Sequence, residues 1–376
     1  MHNRRNPVLD AAKGALILLV VLGHLLERAD PSEALATHAL TTGIYAFHMP
    51  AFVFLAGITS KPRGIARRCL QFLTLLAVFQ IAYFLAQHLS GSGESFRWVT
   101  PDWLLWFLLS MTCWTLLTPL IARFPRAGLA LSVAVSLTAG MGDAVGYPFS
   151  LSRTLVFLPF FVAGFTHGQK ALRWIDRLGL RGRAVVAGVA LAVFAALLAW
   201  SPDHDWFYGS KGFDVLEVSD LSGVAHRAVL TVCAAVLTAG LLVLMPRTPT
   251  VLNRFGQRSL SIYLLHGFVV LLAAPSVLAM AQDNVYVAVG ILAVLAAGIA
   301  LLTSLQPVHQ AIGSIGALLL PLVERPGPSV PAAAATAAVS RVEDAGQAAE
   351  AVGSGDALDR TGADERVEVG AGSVHR

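Results

Sequence analysis

The sequence predicts an all-α polytopic membrane protein, a bundle of about ten transmembrane helices with its N-terminus in the cytoplasm. Three observations lead to this prediction. The 376 residues are 56% hydrophobic and only 13% charged, with a mean hydropathy of +0.67, a composition that would not keep a soluble domain of this length in solution. Long apolar runs recur along the chain, and Lys and Arg gather in short clusters between them.

The candidate transmembrane helices are apolar runs close to the roughly 20 residues that cross the hydrocarbon core of a bilayer. The fifth run is interrupted by Asp143 and Pro148, and the sixth is short and contains Pro159, so these two are the weakest candidates. The runs cover about residues 9–27, 41–60, 69–89, 102–122, 128–145, 154–168, 184–200, 226–245, 259–280 and 285–305.

The distribution of Lys and Arg predicts the orientation, because short loops rich in these residues stay in the cytoplasm. With the N-terminus inside, sixteen Lys and Arg lie in cytoplasmic segments. Five lie on the other face, namely Arg28, Arg97, Arg153, Lys211 and Arg227. We therefore expect a multi-pass protein of the inner (plasma) membrane with its N-terminus in the cytoplasm.

Two segments outside the apolar runs have distinct compositions. From residue 326 to 376 the chain is Ala, Gly, Pro, Glu and Asp with almost no large apolar residue, which is typical of a disordered cytoplasmic tail. Residues 1–325 are then one membrane domain. The outward loop 201–223 is rich in aromatic and acidic residues, and it either covers a site or is a solvated connector anchored at the headgroups.

Ionisable residues in the first run are candidate functional residues, since hydrocarbon tolerates them only when they pair or line a cavity. Lys13 and His24, with ten residues between them, fall on one helical face, about 16 Å apart along the axis. Asp10 lies one turn before Lys13 and is its expected counter-ion. A polar seam therefore follows most of this helix.

A second polar face lies in the second run, where Thr41, Tyr45 and His48 follow spacings of four and three. Pro50 lacks an amide hydrogen, so a carbonyl one turn earlier loses its helical partner, and we expect a kink beside His48. The predicted topology places His48 at the same outer depth as His24. Histidine is a natural general base, and hydrogen bonding between helices is the structural alternative.

Similar polar faces occur in two later runs. Tyr263 and His266 enter from the cytoplasmic side, and they either line the same cavity from below or only hydrogen-bond between helices. Gln80, Tyr83 and Gln87 form a stripe on the third run that is typical of contacts between helices.

A basic run, KPRGIARR, follows the second apolar run and contains Lys61, Arg63, Arg67 and Arg68. Anchoring at the cytoplasmic surface is one explanation. Binding of an anionic donor with phosphates, such as coenzyme A, is the other, because paired cations at a helix N-terminus favour phosphate.

Together these residues resemble the membrane acyltransferase-3 family, and within it the fucose 4-O-acetyltransferase-like branch. The resemblance covers about residues 5–305 and rests on DAAKGALILLVVLGH, YAFHMPAFVFLAG, the basic run, WLLWFLLSM and SLSIYLLH. Two positions depart from the family pattern. Lys13 stands where the family usually has Arg, and a Lys side chain lacks the bidentate recognition of phosphate that Arg provides. Ala56 stands where the family has a hydroxyl residue.

The resemblance implies an acyltransferase that moves an acyl group, usually acetyl from acetyl-CoA, to a hydroxyl of a carbohydrate or glycoside acceptor. His24 is then the general base, which supplies about 10²- to 10⁴-fold in rate. The expected catalytic residues are His24, His48, Lys13 and Asp10, and the expected cofactor-binding residues are Arg63, Arg67, Arg68, Tyr263 and His266.

The same residues allow other functions. A transporter or exporter would use intramembrane His, Lys and Asp as a proton relay, whereas a non-catalytic scaffold leaves the buried charges without a role. A zinc site at His24, Glu27 and His48 lacks a further convincing ligand, so no metal is expected. The net charge of +4 reflects topology signals, and no nucleic-acid partner is expected.

The predicted topology also contains a difficulty of depth. The donor is cytoplasmic, whereas His24 lies in the outer half of the bundle. The seam from Lys13 to His24 would be the route for the pantetheine arm of the donor.

Overall fold

The computed structural model describes residues 6–29, 35–91, 96–97, 100–141, 148–279 and 284–322. Within these ranges the chain forms fourteen α-helices and no strand, as the sequence predicts. The predicted tail, residues 326–376, lies outside the described residues, and its disorder stays a prediction. The helices are α1 (Pro7–Ala29), α2 (Leu35–Tyr45), α3 (His48–Thr59), α4 (Ile65–Leu89), α5 (Trp106–Arg123), α6 (Pro125–Thr138), α7 (Leu151–Arg177), α8 (Leu180–Trp200), α9 (Asp205–Tyr208), α10 (Asp220–Leu244), α11 (Val251–Gln257), α12 (Ser259–Ala279), α13 (Val285–Thr303) and α14 (Gln306–Ala317).

The helices have the length and composition of membrane spans. Over the described ranges, seven segments are long and apolar enough to cross a membrane, and an eighth is counted if α11 and α12, which meet at 85°, form one bent span. The prediction of a polytopic helical membrane protein is therefore confirmed. The exact number of spans and the orientation of the N-terminus stay predictions.

Two of the ten predicted runs correspond to helices that do not qualify as spans. They are α6 and α7, the helices of the fifth and sixth runs, already the weakest from the sequence. The helix α6 has only 14 residues, about 21 Å at 1.5 Å per residue, which is shorter than the bilayer core of roughly 30 Å. The helix α7 has 27 residues, but its second half is polar and includes Lys170 and Arg173.

Apolar side chains on the outside of the bundle agree with a lipid environment. Val185 and Leu191 on α8 are 65% and 67% exposed, and Val294 on α13 is 74% exposed. Water would disfavour such side chains, whereas lipid tails solvate them, so these helices face the bilayer.

The helix α1 lies at the centre of the described bundle. It packs against α2, α3, α10, α11, α12 and α13, and its residues Ala12, Leu16, Val21 and Leu25 are fully buried. A helix that is apolar on most of its circumference belongs inside a bundle. The polar seam predicted on α1 is therefore surrounded by other helices.

Glycines allow two helix pairs to approach closely. A Cβ atom on Gly14 of α1 would lie 1.9 Å from the carbonyl oxygen of Leu252 in α11, and one on Gly256 would lie 1.8 Å from that of Asp10. In the same way, a Cβ on Gly164 of α7 would lie 2.0 Å from the carbonyl oxygen of Phe54 in α3. Small residues of this kind let membrane helices pack backbone to backbone.

Candidate active site

His24 lies near the C-terminal end of α1, at the meeting point of three helices and a connecting loop. Its ring stacks on that of His266 in α12 at a centroid distance of 5.5 Å, and the ring of Trp103 packs edge-on against it at 4.9 Å. The side chain of His24 is 17% exposed. The structure therefore brings together the predicted residues of the first and ninth runs.

Glu27 holds His24 through a hydrogen bond along the same helix. Oε2 of Glu27 lies 3.2 Å from Nδ1 of His24 and accepts a hydrogen bond of 2.7 Å from the Tyr45 hydroxyl, while Oε1 accepts one of 3.1 Å from Tyr208. A carboxylate can only accept, so Nδ1 carries the proton of this hydrogen bond, and in the neutral ring the lone pair is then on Nε2. His24 therefore presents Nε2 as the nitrogen that can take a proton.

His48 is the first residue of α3, beside a break in the second membrane span. The break spans Ala46 and Phe47, one turn before Pro50, as the missing amide hydrogen predicts, so the expected kink is confirmed. Nδ1 of His48 lies 2.8 Å from the Ile44 carbonyl oxygen, and its side chain is buried. The Ile44 carbonyl oxygen also accepts a hydrogen bond of 3.4 Å from the Phe47 amide, so His48 adds a second contact where the helix is interrupted.

Three cavities meet at His24. The largest, of about 450 Å³, also contacts Glu27, Arg28 and Trp103. The second, of about 160 Å³, contacts Glu27, His48 and Arg153, so His24 and His48 line one space as expected. The third, of about 30 Å³, lies among apolar side chains. An imidazole at such a junction can contact ligands from different directions.

The wall of the largest cavity is a loop held against α4. The side-chain amide of Gln87 donates to Asp102 Oδ2 at 2.8 Å, and the Asp102 amide donates to Gln80 Oε1 at 2.9 Å. The next residue, Trp103, has a positive φ of 32°, a backbone conformation that costs free energy and is typical of functional sites. The Gln stripe on the third run thus makes the expected structural contacts and also shapes the cavity.

The outward loop covers the site, as one of its two interpretations predicts. Tyr208 of α9 reaches Glu27, and Nε2 of His204 lies 3.3 Å from the Thr42 hydroxyl of α2. Burial and the neighbouring Glu27 carboxylate raise the pKa of Tyr208, so its hydroxyl stays protonated and donates. Burial and the nearby His38 lower the pKa of His204.

Lys13 and Asp10 form hydrogen bonds to other residues and not to each other, although the Asp10 carboxylate lies close enough to act electrostatically on Lys13. Nζ of Lys13 donates to the Thr59 hydroxyl at 3.3 Å, and Oδ2 of Asp10 accepts a hydrogen bond of 2.9 Å from the side-chain amide of Gln257. Thr59 ends α3, two residues before Lys61. Lys13 therefore lies at the end of the bundle that carries the basic run, which we call the basic end.

The predicted cofactor-binding residues divide into two groups. At the basic end, Arg63 and Arg67 are exposed, and Arg68 donates to the carbonyl oxygens of Lys61 and Arg63. The second group lies beside His24, which is about 16 Å from Lys13 along α1.

Tyr263 and His266 form this second group. The Tyr263 hydroxyl donates to the Leu104 carbonyl oxygen. Nδ1 of His266 lies 2.8 Å from the Tyr263 carbonyl oxygen, and its Nε2 is buried without a hydrogen-bond partner among the described residues. Tyr263 and His266 therefore lie close to His24, whereas Arg63, Arg67 and Arg68 lie at the basic end.

The sequence analysis missed several residues of the site. Glu27 was considered only as a metal ligand, although its position three residues after His24 places it on the same face. Trp103 stands in a motif that carried the resemblance, and Tyr208 stands in the aromatic loop. Arg153 was assigned to the outer face without a role. Among the described residues, no group of three or more His, Cys, Asp and Glu side chains is placed to hold a metal ion.

Comparisons with known proteins give a family and two relatives. A family model described as an acyltransferase domain matches residues 6–303. The chain is similar to the nodulation protein NolL of Sinorhizobium fredii, with 30% identity over 192 residues, which are 44% of this chain and 50% of that protein. It is also similar to NolL of Mesorhizobium japonicum, with 24% identity over 224 residues, which are 54% and 58% of the two chains. The chain spans about half the length of the curated relatives it matches, and no solved structure matches it.

Proposed function

Since this chain belongs to the membrane acyltransferase-3 family, we propose that it is an O-acyltransferase that moves acetyl from acetyl-CoA to a hydroxyl of a carbohydrate or glycoside acceptor. The general base is His24. We also propose that the chain belongs to the fucose 4-O-acetyltransferase-like branch of the family and lies in the inner membrane.

The observation that carries the proposal is the pairing of His24 with Glu27 at 3.2 Å. In the proposed reaction, Nε2 of His24 takes the proton of the acceptor hydroxyl while that oxygen forms a bond to the thioester carbon. The C–S bond breaks, and His24 returns the proton to the departing thiolate. Glu27 stabilises the imidazolium that exists between these two transfers, and the base contributes about 10²- to 10⁴-fold in rate.

The largest cavity suits a polyhydroxylated acceptor. Its wall combines the aromatic faces of Trp103 and Phe84 with the polar groups of Gln87, Asp102 and Glu27. A ligand site commonly joins apolar surfaces to a few polar groups that fix the orientation of the ligand. The cavity lies beyond His24 on the side away from the basic end, since Glu27 follows His24 on α1.

The basic end suits the phosphates of the donor. Lys13, Arg63 and Arg67 lie there, and cations near the start of α4 favour phosphate groups. From this end, the thioester must reach His24 along about 16 Å of α1. Tyr263 and His266 then border the last part of the route, beside the reacting carbonyl.

The test is a measurement of acetyl-CoA hydrolysis and acyl transfer by purified protein, with hydroxylated glycosides as acceptors. We expect His24→Ala to remove both reactions while the variant still inserts in the membrane. His167→Ala is the matched control, because this histidine is exposed and lines none of the three cavities. Normal transfer by His24→Ala would reject the base, and acceptor flux without hydrolysis would favour the transporter alternative.

A further inference from the structure

The smallest of the three cavities, a recess beside His24, has walls that are mainly apolar. Its volume is about 30 Å³. The side chains around it include Ile17 and Val20 from α1, Met49 and Phe52 from α3, Phe107 from α5, and Tyr263 from α12. The hydroxyl of Tyr263 already donates to the Leu104 carbonyl oxygen. Apart from Tyr263, the lining side chains that carry a nitrogen or oxygen are His24 and Trp106, and the others are hydrocarbon or thioether, so an apolar ligand group fits the recess best.

The recess lies on the donor side of His24. Ile17 and Val20 stand between Lys13 and His24 on the same face of α1. In contrast, the largest cavity contacts Glu27 and Arg28, which follow His24. The imidazole therefore separates a small apolar space toward the basic end from a large polar space on the other side.

The size of the recess limits what it can hold. Its volume of about 30 Å³ compares with about 160 Å³ and about 450 Å³ for the two neighbouring cavities, so it is the narrowest of the three spaces that contact His24. Its walls are stiff, because Phe52 and Phe107 pack edge-on with ring centroids 5.8 Å apart and Ile17 is 1% exposed. A methyl or ethyl group fits such a space, whereas a longer chain meets the aromatic wall.

We propose that this recess is the acyl pocket of the enzyme and that Met49 and Phe52 limit the transferred group to two or three carbons. The inference rests on the proposed function. The acyl carbon stands beside His24 with its alkyl group in the recess, and the acceptor oxygen approaches it from the largest cavity, with its hydroxyl proton toward Nε2. The pocket thus selects the acyl group, and a different surface selects the acceptor.

The test compares acetyl-, propionyl-, butyryl- and hexanoyl-CoA as donors for the wild type and Phe52→Ala. An additional methylene in a tight apolar pocket changes kcat/KM by about 10-fold or more. We expect the wild type to lose at least about 10-fold between acetyl- and butyryl-CoA. Removing the Phe52 ring should raise the ratio of butyryl to acetyl transfer by at least about 10-fold.

Phe54→Ala is the matched control, since Phe54 lies on the same helix and does not line the recess; its ratio should equal that of the wild type. Met49→Ala carries the same expectation as Phe52→Ala and replaces it if that variant does not fold. If Phe52→Ala and Met49→Ala transfer acetyl and keep the wild-type ratio of butyryl to acetyl transfer, the acyl pocket is wrong. The proposed function would still stand. No transfer by the wild type from any donor would instead reject the proposed function.

Discussion

At the scale of single residues, the site depends on how neighbours fix each histidine. The Nδ1 atoms of His24, His48 and His266 all lie within hydrogen-bond distance of an acceptor oxygen. Only the acceptor of His24 is a carboxylate, that of Glu27. The charge matters because it stabilises a protonated ring, which a backbone carbonyl does much less. This difference favours His24 as the general base of the proposed reaction.

Glu27→Gln therefore should slow the reaction without preventing binding of the donor. A hydrogen bond to a charged group contributes about 1.5–3 kcal/mol, so we expect kcat to fall by about 10- to 100-fold with little change in the KM for acetyl-CoA. Steady-state kinetics on purified protein would measure both constants. Glu217→Gln, at an exposed carboxylate of the outer loop, is the control. A wild-type kcat in Glu27→Gln would show that the carboxylate does not assist His24.

The sequence located part of the site, and particular residues show why it located no more. His24 and Lys13 were recognisable because ionisable side chains are costly in an apolar run. Tyr208 was not recognisable as a site residue, because it lies 181 residues from its partner Glu27 and no local sequence spacing indicates the contact. The sequence indicated Lys13 as the partner of Asp10 and gave no sign of Gln257. The close approach of α1 and α11 brings Gln257 beside Asp10, where it forms the hydrogen bond.

At the scale of elements, α3 carries His48 and two walls of the recess, and its contact with α7 holds it in place. The contact is close because Gly164 leaves no side chain between the backbones. The sequence predicted both helices, but it could not predict their separation, which depends on which faces meet. The position of the recess thus depends on a glycine remote from the chemistry.

Gly164→Ala should therefore destabilise the protein. The added Cβ would lie 2.0 Å from the Phe54 carbonyl oxygen, and because that neighbour is backbone, α3 and α7 must separate. Overpacking of this kind costs about 1–3 kcal/mol, measurable as a lower midpoint of thermal unfolding in detergent. At Gly188 of α8 a Cβ meets nothing within 4 Å, so Gly188→Ala is the matched control. Equal midpoints for the two variants would contradict the tight contact.

The outer loop should loosen as the solution becomes acidic. The pKa of His204 is lowered, chiefly by burial and also by His38, although Asp203, Glu27 and Asp205 act in the opposite direction. A group with a lowered pKa in the closed loop binds more protons in the open loop. The closed loop is then most stable above the ordinary histidine pKa of about 6.5 and loses stability as the pH falls below it.

Hydrogen–deuterium exchange of residues 201–219 would measure how well the loop is protected. Measurements at about pH 7.5 and about pH 5.5 lie on either side of the ordinary histidine pKa. After correction for intrinsic exchange rates, we expect less protection at the lower pH. His204→Gln retains a partner for Thr42 but does not titrate, so the difference should shrink. Equal protection of the wild type at both pH values would refute the role of His204.

At the scale of the whole molecule, the two ends of the bundle have different chemistry. The basic end carries Lys13 and the run that begins at Lys61, whereas the other end carries the large cavity and the loop that covers it. Of the five cations assigned to the outer face, Arg28, Arg97 and Arg153 line the cavities around His24. This division suits a reaction in which donor and acceptor approach one histidine from opposite ends.

The orientation of the bundle in the membrane follows from the same asymmetry and can be tested directly. The cysteines Cys69, Cys113 and Cys233 would first be replaced, and one cysteine introduced at Lys61 or at Asp203. In intact cells a membrane-impermeant maleimide should label Asp203→Cys, which lies in the outer loop. It should label Lys61→Cys only after permeabilisation, because basic loops stay in the cytoplasm. The reverse pattern would place the basic end outside, away from cytoplasmic acetyl-CoA, and would require the donor and acceptor sides of His24 to be exchanged.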